Sequence, residues 1–404
     1  MLPHSIMDKE GYFEKDATFM LKDSFETNKV FGDNATWIQG VVTSVPDTKS
    51  VKYKRTSNVS GKDELAGVEE ETLDFDYLVV ASGATYIANE QGVEDLYHNY
   101  SKESRKSFID QYAQKIEEAQ SVLIVGGGAT GCEHVGELIL QYGSKKKIGL
   151  MHGTPSLLPG YPAKAGEKAK KCFEDRGVKV YLNQKFDPNG EEAKEYDFVI
   201  RCIGTYPCIP FFENDTYNDC KDQRGRIYVN QLYQVTNQNP LLPPSKQINK
   251  DVKVYDNIFA HGDACLTSMN EPKNIVAIQE SSAIIGYNLK QTLKANPKFK
   301  EIDIVLDDMA GLYLAGDFGV VIVNDFVAGQ KNILKMKYDT QNFIMDYLAG
   351  KPKGEKNYNS FQGKKHCVLC CCNNICCLCC PCSKRKRKAN RKKELRQILS
   401  SAEP

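Results

Sequence analysis

The sequence has 404 residues, of which 41% are hydrophobic and 26% charged, as is typical of a soluble globular protein with about two or three domains. No apolar stretch reaches the roughly 18 residues of a membrane-spanning helix, and the first residues lack the basic segment and apolar core of a secretory signal. The net charge of +1 conceals an asymmetry, because residues 384–396 carry nine Lys or Arg and one Glu, so +8, which leaves 1 − 8 = −7 for the remainder.

The N-terminal third is predicted to contain short strands. Residues 35–45 and 51–53 have the apolar content of strands, and the polar stretch 57–71 is predicted to be a hairpin loop. Residues 76–83 form an apolar run that ends in small residues. Such a run favours a strand buried on both faces, as in a parallel sheet.

A helix precedes the most informative part of the chain. Phe108, Tyr112 and Ile116 recur at helical spacing, which predicts a helix over residues 100–119.

The stretch 121–137, SVLIVGGGATGCEHVGE, carries the main functional signal. An apolar strand runs directly into Gly126, Gly128 and Gly131, and helix-forming residues resume after them. In this strand–turn–helix context, G-x-G-x-x-G is typical of a dinucleotide-binding site, although an ordinary βα turn is the alternative. The first glycine permits the turn, the second lets a pyrophosphate approach, and the third lets the helix pack on the strand. Free N–H groups at the helix N-terminus would then receive the phosphates.

Strands and helices alternate after the glycine turn, as in a parallel βαβ unit. They are a strand at 147–152, a helix at 163–176 that ends before Gly177, and strands at 178–182 and 196–204. We therefore predict one such unit over residues 120–206.

The rest of the body is predicted to contain fewer elements. Residues 240–244 form a loop, residues 257–263 a strand ending in Gly-Asp, and residues 275–293 a helix. Residues 311–348 are predicted to form short strands and a final helix.

The order of these motifs resembles that of flavoprotein reductases with two dinucleotide-binding domains. The matching residues are A-S-G at 81–83, G-G-G-A-T-G at 126–131, C-I-G at 202–204 and F-A-H-G-D at 259–263. The chain is further similar to the ferroptosis-suppressor and apoptosis-inducing-factor-like quinone reductases, which are relatives of the type II NADH dehydrogenases. The stretch D-K-E-x-Y-F-E at 8–14 is shared with them.

This resemblance implies an α/β fold of the glutathione-reductase type. Two Rossmann-like domains are expected, with the NAD(P)H-binding domain inserted in the FAD-binding domain, followed by a small α+β C-terminal region. The implied boundaries are 1–115 and 241–295 for the two parts of the FAD-binding domain, 116–240 for the NAD(P)H-binding domain, 296–360 for the C-terminal region, and 361–404 for a disordered Cys-rich and polybasic tail.

The resemblance also assigns residues to an FAD site. Asp263 would hydrogen-bond the ribityl chain, with Gly262 allowing close approach; a turn or helix-cap aspartate is the alternative. The other residues implied at this site are Asp8 at the adenosine ribose, Val42 at the adenine, and Ala81, Ser82 and Gly83 at the domain crossover.

At the NAD(P)H site, Glu133 is implied to be catalytic and to lie in the first turn of the glycine-motif helix, where simple helix capping is the alternative. Gly204, at the end of its strand, is implied to bind the cofactor. His152 stands where an acidic residue would favour NADH and an arginine NADPH, so the choice of nucleotide stays open and His152 is either a cofactor contact or a surface residue. Lys337 matches a lysine of the family on the acceptor side.

The sequence departs from the family pattern in two ways. The family has an earlier strand–G-x-G-x-x-G–helix unit for FAD, before the position of Asp8, which this sequence does not contain. We expect that the sequence lacks its natural N-terminus; the alternative is a protein that binds FAD poorly or not at all. No cysteine precedes Cys132, so the redox cysteine pair of disulfide reductases does not occur in this sequence, and we expect a non-disulfide acceptor, with a quinone favoured.

Nine of the 15 cysteines lie in the tail, where residues 366–382 read HCVLCCCNNICCLCCPC. S-acylation there, together with the basic run, would hold the protein on an anionic membrane surface. Binding of Zn²⁺ or Cu⁺ by thiolates is the alternative, and a nuclear-import or nucleic-acid role ranks third. We favour acylation, with no metal site assigned and no nucleic-acid partner expected. The cysteines expected to be acylated are Cys370, Cys371, Cys372, Cys376, Cys377, Cys379 and Cys380.

Together these features predict a cytoplasmic FAD-dependent NAD(P)H oxidoreductase, peripheral or lipid-anchored on a cytosol-facing membrane, that reduces a quinone or another small electron acceptor. The alternative is a non-catalytic NAD(P)H-binding or redox-sensing protein without functional FAD. The sequence does not predict an oligomeric state.

Overall fold

The structure is a computed structural model that describes residues 33–56, 62–86, 102–212, 216–248, 251–268, 273, 275–302, 309–315, 318–323 and 326–331. The strands are β1 Gly40–Ser44, β2 Ser50–Arg55, β3 Glu70–Asp74, β4 Leu78–Val80, β5 Ala84–Tyr86, β6 Ser121–Val125, β7 Lys147–Met151, β8 Lys179–Tyr181, β9 Phe198–Arg201, β10 Thr205–Pro207, β11 Ile227–Tyr228, β12 Gln234–Thr236, β13 Val254–Ala260, β14 Cys265–Leu266, β15 Met309–Ala315, β16 Phe318–Val323 and β17 Phe326–Lys331. The helices are α1 Lys62–Leu65, α2 Lys102–Glu118, α3 Ala129–Tyr142, α4 Ala163–Glu174, α5 Glu191–Lys194 and α6 Ile275–Thr292.

A parallel sheet in the order β8-β7-β6-β9 surrounds the glycine motif. All five residues of β6 are buried because both faces of the strand are covered. Val122 and Ile124 pack into one core with helix residues, whereas Leu123 and Val125 pack into a second core on the opposite face. The predicted parallel unit is confirmed.

The start of β6 is held by Asp197, which lies just before β9. One carboxylate oxygen of Asp197 accepts hydrogen bonds from the backbone N–H groups of Gln120 and Ser121, each at 2.9 Å, and from the Ser121 hydroxyl at 2.8 Å. The two hydrogen bonds from Ser121 lower the pKa of Asp197 most, and the hydrogen bond from Gln120 lowers it further. This carboxylate therefore fixes the position of β6, and with it the turn that follows the strand.

A second sheet, in the order β12-β13-β4, contains the other strand ends that the sequence singled out. Strand β13 runs parallel to β4, with Ala260 opposite Val80, and antiparallel to β12. The predicted parallel pairing of residues 76–83 is thus confirmed, but burial on both faces is wrong, because Val80 is 3% exposed and Val79 39%. Successive side chains of a strand point to opposite faces, and the face that carries Val79 is only partly covered.

A three-stranded antiparallel sheet, β1-β2-β3, confirms the hairpin predicted at residues 57–71, because β2 pairs with β3, but the connecting loop ends earlier than predicted. Helix α1 forms inside that stretch, and β3 begins at Glu70. Strand β3 has no alternation of apolar residues by which a sequence pattern could reveal it. Cross-strand pairs hold it instead, with Arg55 Nε 2.7 Å and Tyr53 Oη 2.7 Å from the carboxylate oxygens of Glu71.

The predicted helix at 100–119 is confirmed as α2, and Tyr112 and Ile116 are buried in the core beneath β6. The antiparallel sheet β15-β16-β17 packs on α3 and α4 and shares that core through Leu314 and Ile322. The predicted helix at the end of 311–348 lies outside the described residues.

Candidate functional site

The glycine turn follows β6 at the carboxyl edge of the parallel sheet. Gly126 has φ of +113°, which L side chains rarely adopt, and its N–H donates to the Met151 carbonyl at 2.8 Å. A Cβ on Gly126 would lie 2.2 Å from the carbonyl oxygen of Cys202 at the end of β9. Only glycine can therefore make this turn between the two neighbouring strands.

Gly131 and Gly128 differ in what surrounds them. A Cβ on Gly131 would lie 1.8 Å from the carbonyl oxygen of Gly126, so α3 can approach the turn only because this residue lacks a side chain. A Cβ on Gly128 would meet no atom of the described chain within 4 Å. Gly128 is the N-cap of α3, so it leaves open space directly in front of the free N–H groups of that helix.

His152 lies directly after β7, where its ring joins the glycine turn to the next loop. The N–H of Gly127 donates to His152 Nδ1 at 3.1 Å, and His152 Nε2 lies 2.8 Å from Thr154 Oγ1. Desolvation lowers the pKa of His152, so the ring is neutral at pH 7. The His152 ring is half-buried and both of its nitrogens form hydrogen bonds, so it differs from a simple surface residue.

Glu133 does not lie where the sequence placed it. Helix α3 begins at Ala129, so Glu133 is its fifth residue, and the first turn contains no acidic side chain. Capping of the first turn by Glu133 is therefore wrong, because that turn is formed by the four preceding residues. Glu133 is half-buried, whereas Glu137, one turn further on, is 3% exposed.

Beneath the same helix lies a buried polar cluster that the sequence did not indicate. The His134 ring is buried, and its Nδ1 lies 2.9 Å from the Thr130 carbonyl and 3.8 Å from the Cys202 sulfur. Burial lowers the pKa of His134 and raises that of the Cys202 thiol to about 12. Because spacing gave His134 and Cys202 no relation, only the packing of α3 against β9 could reveal this contact.

Two predicted strand ends, at Gly83 and Gly204, are linked by a short two-stranded sheet, but they lie at its opposite ends. Gly83 and Gly204 both have positive φ, at 72° and 109°, and the strands that follow them, β5 and β10, pair antiparallel with Ala84 opposite Pro207. Ser82 Oγ, just before Gly83, is buried and has no hydrogen-bond partner in the described part of the chain. An orphaned hydroxyl at this position fits a bound ligand that would accept or donate the missing bond.

The Gly-Asp pair forms a tight turn between β13 and β14. Gly262 has φ of +65°, and Asp263 is half-buried with its pKa raised by desolvation, an effect that Lys273 and His261 partly offset. His261 has no role in the sequence prediction, although it belongs to the same F-A-H-G-D motif. Its Nε2 lies 2.8 Å from Ser281 Oγ and 3.0 Å from the Ile278 carbonyl, which ties the turn to α6.

Two of the remaining predicted residues, Ala81 and Val42, are described by the structure. Ala81 follows β4 directly, and Val42 lies on β1, where it packs against the core of the second sheet. Asp8, Lys337 and the tail cysteines lie outside the described residues.

The polar groups at the glycine turn and at the Gly-Asp turn suit organic cofactors rather than metal ions. The space at Gly128 fits a pyrophosphate, and the orphaned Ser82 hydroxyl with the Asp263 carboxylate fits the polyol and ribose hydroxyls of a flavin nucleotide. The described residues contain no group of three or more His, Cys, Asp or Glu placed to hold a metal ion. Of the helices described, none is both long and apolar enough to cross a membrane.

Comparison with known proteins shows several relatives of modest identity. The chain is 27% identical over 248 residues to oxidoreductase ptaL of Pestalotiopsis fici, covering 57% of this chain and 59% of that protein. It is 29% identical to Fe-regulated protein 8 of Mycosarcoma maydis over 42% of this chain and 46% of that protein. It is 23% identical to ferroptosis suppressor protein 1 of Xenopus tropicalis over 70% of each. The chain thus spans about half the length of the first curated relatives it matches.

Among solved structures, NDH2 from Plasmodium falciparum in complex with NADH is similar with a TM-score of 0.55 at 12% identity, over 80% of this chain and 83% of that one. At such identity the likeness concerns the fold. The family model for pyridine nucleotide-disulphide oxidoreductases matches residues 2–281, more than half of the sequence. Together with the glycine turn on a parallel sheet, this match shows that the chain belongs to the pyridine nucleotide-disulphide oxidoreductase family.

Proposed function

We propose that the protein is an FAD-dependent oxidoreductase that takes hydride from NADH or NADPH and passes electrons to a quinone. The observation that carries this proposal is the open space at Gly128, at the N-terminus of α3 and at the carboxyl edge of a parallel sheet in a member of this family.

The nucleotide would bind at the glycine turn. Its pyrophosphate would lie in front of α3, where the first N–H groups have no partner within the helix and the helix dipole favours negative charge. Strand β7 is followed directly by His152, which offers neither the carboxylate that holds a ribose 2′-hydroxyl nor the arginine that accommodates a 2′-phosphate. We therefore include both NADH and NADPH as donors.

FAD would bind at the second sheet. Ser82 and Gly83 after β4, with Gly262 and Asp263 after β13, end adjacent parallel strands and so lie at one edge of that sheet, the usual position of a ligand in an α/β fold. When bound, FAD supplies the chemistry of hydride acceptance and electron transfer, and the protein supplies orientation. The domain division given by the resemblance, with the NAD(P)H-binding domain inserted between two parts of an FAD-binding domain, is part of this proposal.

The electron acceptor and the residues near it are inferred from the family resemblance. A quinone is proposed because the closer resemblance is to quinone reductases, with which the chain shares the stretch at residues 8–14. Glu133, half-buried on the second turn of α3, is proposed to lie beside the nicotinamide, and Lys337 to lie near the acceptor.

The Cys-rich and polybasic tail is proposed to hold the protein on a cytosol-facing membrane, where a lipid-soluble quinone would be encountered. Several acyl chains, or one chain with a basic patch, are needed for stable anchoring, and this tail offers both. Hydroxylamine cleaves thioesters, so treatment should release the protein from the membrane fraction and expose free thiols. Retention in the membrane with no new thiols would refute acylation.

The test of the proposed activity is purification of the full chain, followed by measurement of flavin absorbance and of NADH oxidation with a short-chain quinone. Gly128→Ala should fold, because a Cβ there meets nothing within 4 Å, but its methyl group should obstruct the pyrophosphate. We expect its KM for NADH to rise at least about tenfold, or about 1.4 kcal/mol, with flavin content unchanged.

The matched control is Gly286→Ala on α6, where a Cβ likewise meets nothing within 4 Å. This variant should keep the wild-type KM. A colourless protein that binds NADH and reduces no quinone would refute the enzymatic proposal and favour a non-catalytic nucleotide-binding role. Equal KM values for the two glycine variants would refute the placement of the pyrophosphate.

A further inference from the structure

The segment 152–158, which follows β7, folds back over the glycine turn. The backbone N–H of His152 donates to the Tyr181 carbonyl at 2.8 Å, which continues the pairing with β8. The N–H of Leu158 then donates to the Gly127 carbonyl at 2.7 Å. Both ends of this segment are thus anchored, one on the sheet and the other on the turn.

The His152 ring holds the other side of the same Gly127 peptide unit. Because Nδ1 accepts the hydrogen bond from the Gly127 N–H, it carries no proton, and the neutral ring must carry its proton on Nε2. Nε2–H can then donate to Thr154 Oγ1 at 2.8 Å, and the Thr154 hydroxyl donates to the Ser156 carbonyl at 3.1 Å. Each donor in this series of hydrogen bonds has one acceptor. Both nitrogens of the His152 ring therefore form hydrogen bonds within the protein.

The side chains of His152 and Leu157 also pack closely against Gly127. A Cβ on Gly127 would lie 2.9 Å from His152 Cγ and 2.5 Å from Leu157 Cδ2. The motif G-x-G-x-x-G places no restriction on this position, yet the sequence has a third consecutive glycine there. The His152 ring and the Leu157 side chain explain that glycine, because any side chain would push them away from the turn.

Three consecutive glycines have more conformational freedom than any other tripeptide, so a turn built from them must be held in shape to bind without a large entropic cost. Accepting the proposed function, in which this turn receives NAD(P)H, we propose that His152 is a positioning residue. It holds the turn in the receptive conformation through the Gly127 amide, and it does not contact the nucleotide itself. His152 thereby differs from the acidic residue that many dinucleotide-binding domains use at this position to bind the ribose directly.

The test compares two substitutions in the full chain. His152→Asn retains an acceptor, because the Asn side-chain oxygen can occupy a position close to that of Nδ1. His152→Leu retains bulk but has no acceptor for the Gly127 N–H. Binding of NADH, followed by fluorescence titration, should weaken about tenfold in His152→Leu and stay within about threefold of wild type in His152→Asn.

A second measurement separates this inference from the proposed function. Hydrogen–deuterium exchange of the nucleotide-free protein, read on a peptide that covers residues 122–132, should increase in His152→Leu and not in His152→Asn. Failure of the wild type to bind NADH would refute the proposed function, and the exchange result would still decide the role of His152. Equal exchange in all three proteins, or NADH binding as weak in His152→Asn as in His152→Leu, would overturn the inference.

Discussion

Helix α3 packs closely on strand β15 at Gly136, and this contact provides a sharp test of the fold. A Cβ on Gly136 would lie 2.6 Å from the Leu314 carbonyl oxygen of β15 and 3.0 Å from a ring carbon of Tyr313. Ordinary contact begins at 3.4 Å, so Gly136→Ala must open the gap by 3.4 − 2.6 = 0.8 Å. The obstructing atom is backbone, so it cannot move aside as the end of a flexible side chain could.

The magnitude follows from a comparison of two helical glycines. Replacement of a helical glycine by alanine stabilises a helix by about 1 kcal/mol, and this gain applies equally to Gly136 on α3 and to Gly286 on α6. Overpacking of a tight contact costs about 1–3 kcal/mol, and this cost applies only to Gly136. The two alanine variants should therefore differ by about 1–3 kcal/mol, with Gly136→Ala the less stable.

Thermal unfolding followed by dye fluorescence would measure this difference. At about 2–4 °C for each kcal/mol, the two Tm values should be several degrees apart. Gly286→Ala should melt at or slightly above the wild type. If Gly136→Ala melts as high as Gly286→Ala, the direct packing of β15 on the glycine-motif helix is refuted.

Two further predictions concern titration and reactivity. Burial lowers the pKa values of His134 and His152, so below about pH 6.5 the unfolded chain binds protons that the native chain does not, and stability should fall as the pH drops from about 6.5 to 5. The Tm of His152→Asn should fall less steeply over that range, and an unchanged slope would contradict a neutral His152. Burial raises the pKa of Cys202 to about 12, so the half-buried thiol is protonated at pH 8, and iodoacetamide should modify Cys202 much more slowly in the native protein than in the unfolded chain. Equal labelling rates at Cys202 in the native and unfolded protein, read by peptide mass, would contradict that placement.

Much of the nucleotide-binding unit could be predicted from the sequence, because its signals are local. An apolar run of strand length, a glycine that must adopt positive φ and a helix that starts three residues later are properties of residues close together in the sequence. The order of four motifs, at residues 81–83, 126–131, 202–204 and 259–263, predicts the family, and the family match over residues 2–281 confirms it.

Contacts between residues distant in the sequence required the tertiary structure. Strand β3 is held by charged cross-strand pairs such as Arg55 with Glu71, and no apolar alternation marks it in the sequence. The packing of Gly136 against β15 joins residues almost 180 positions apart, so no local pattern could reveal it.

The same distinction applies within the site. By itself the sequence determined that a tight glycine turn follows β6, because turn geometry depends on the conformational freedom of the glycines themselves. It placed His152 at the end of the next strand but could not assign its role. That role depends on the parallel register of β6 and β7, which sets the ring beside the Gly127 amide, and on the return of segment 152–158 across the turn. Only the tertiary structure could decide it, because a hydrogen bond between residues 25 positions apart forms only when the sheet is assembled.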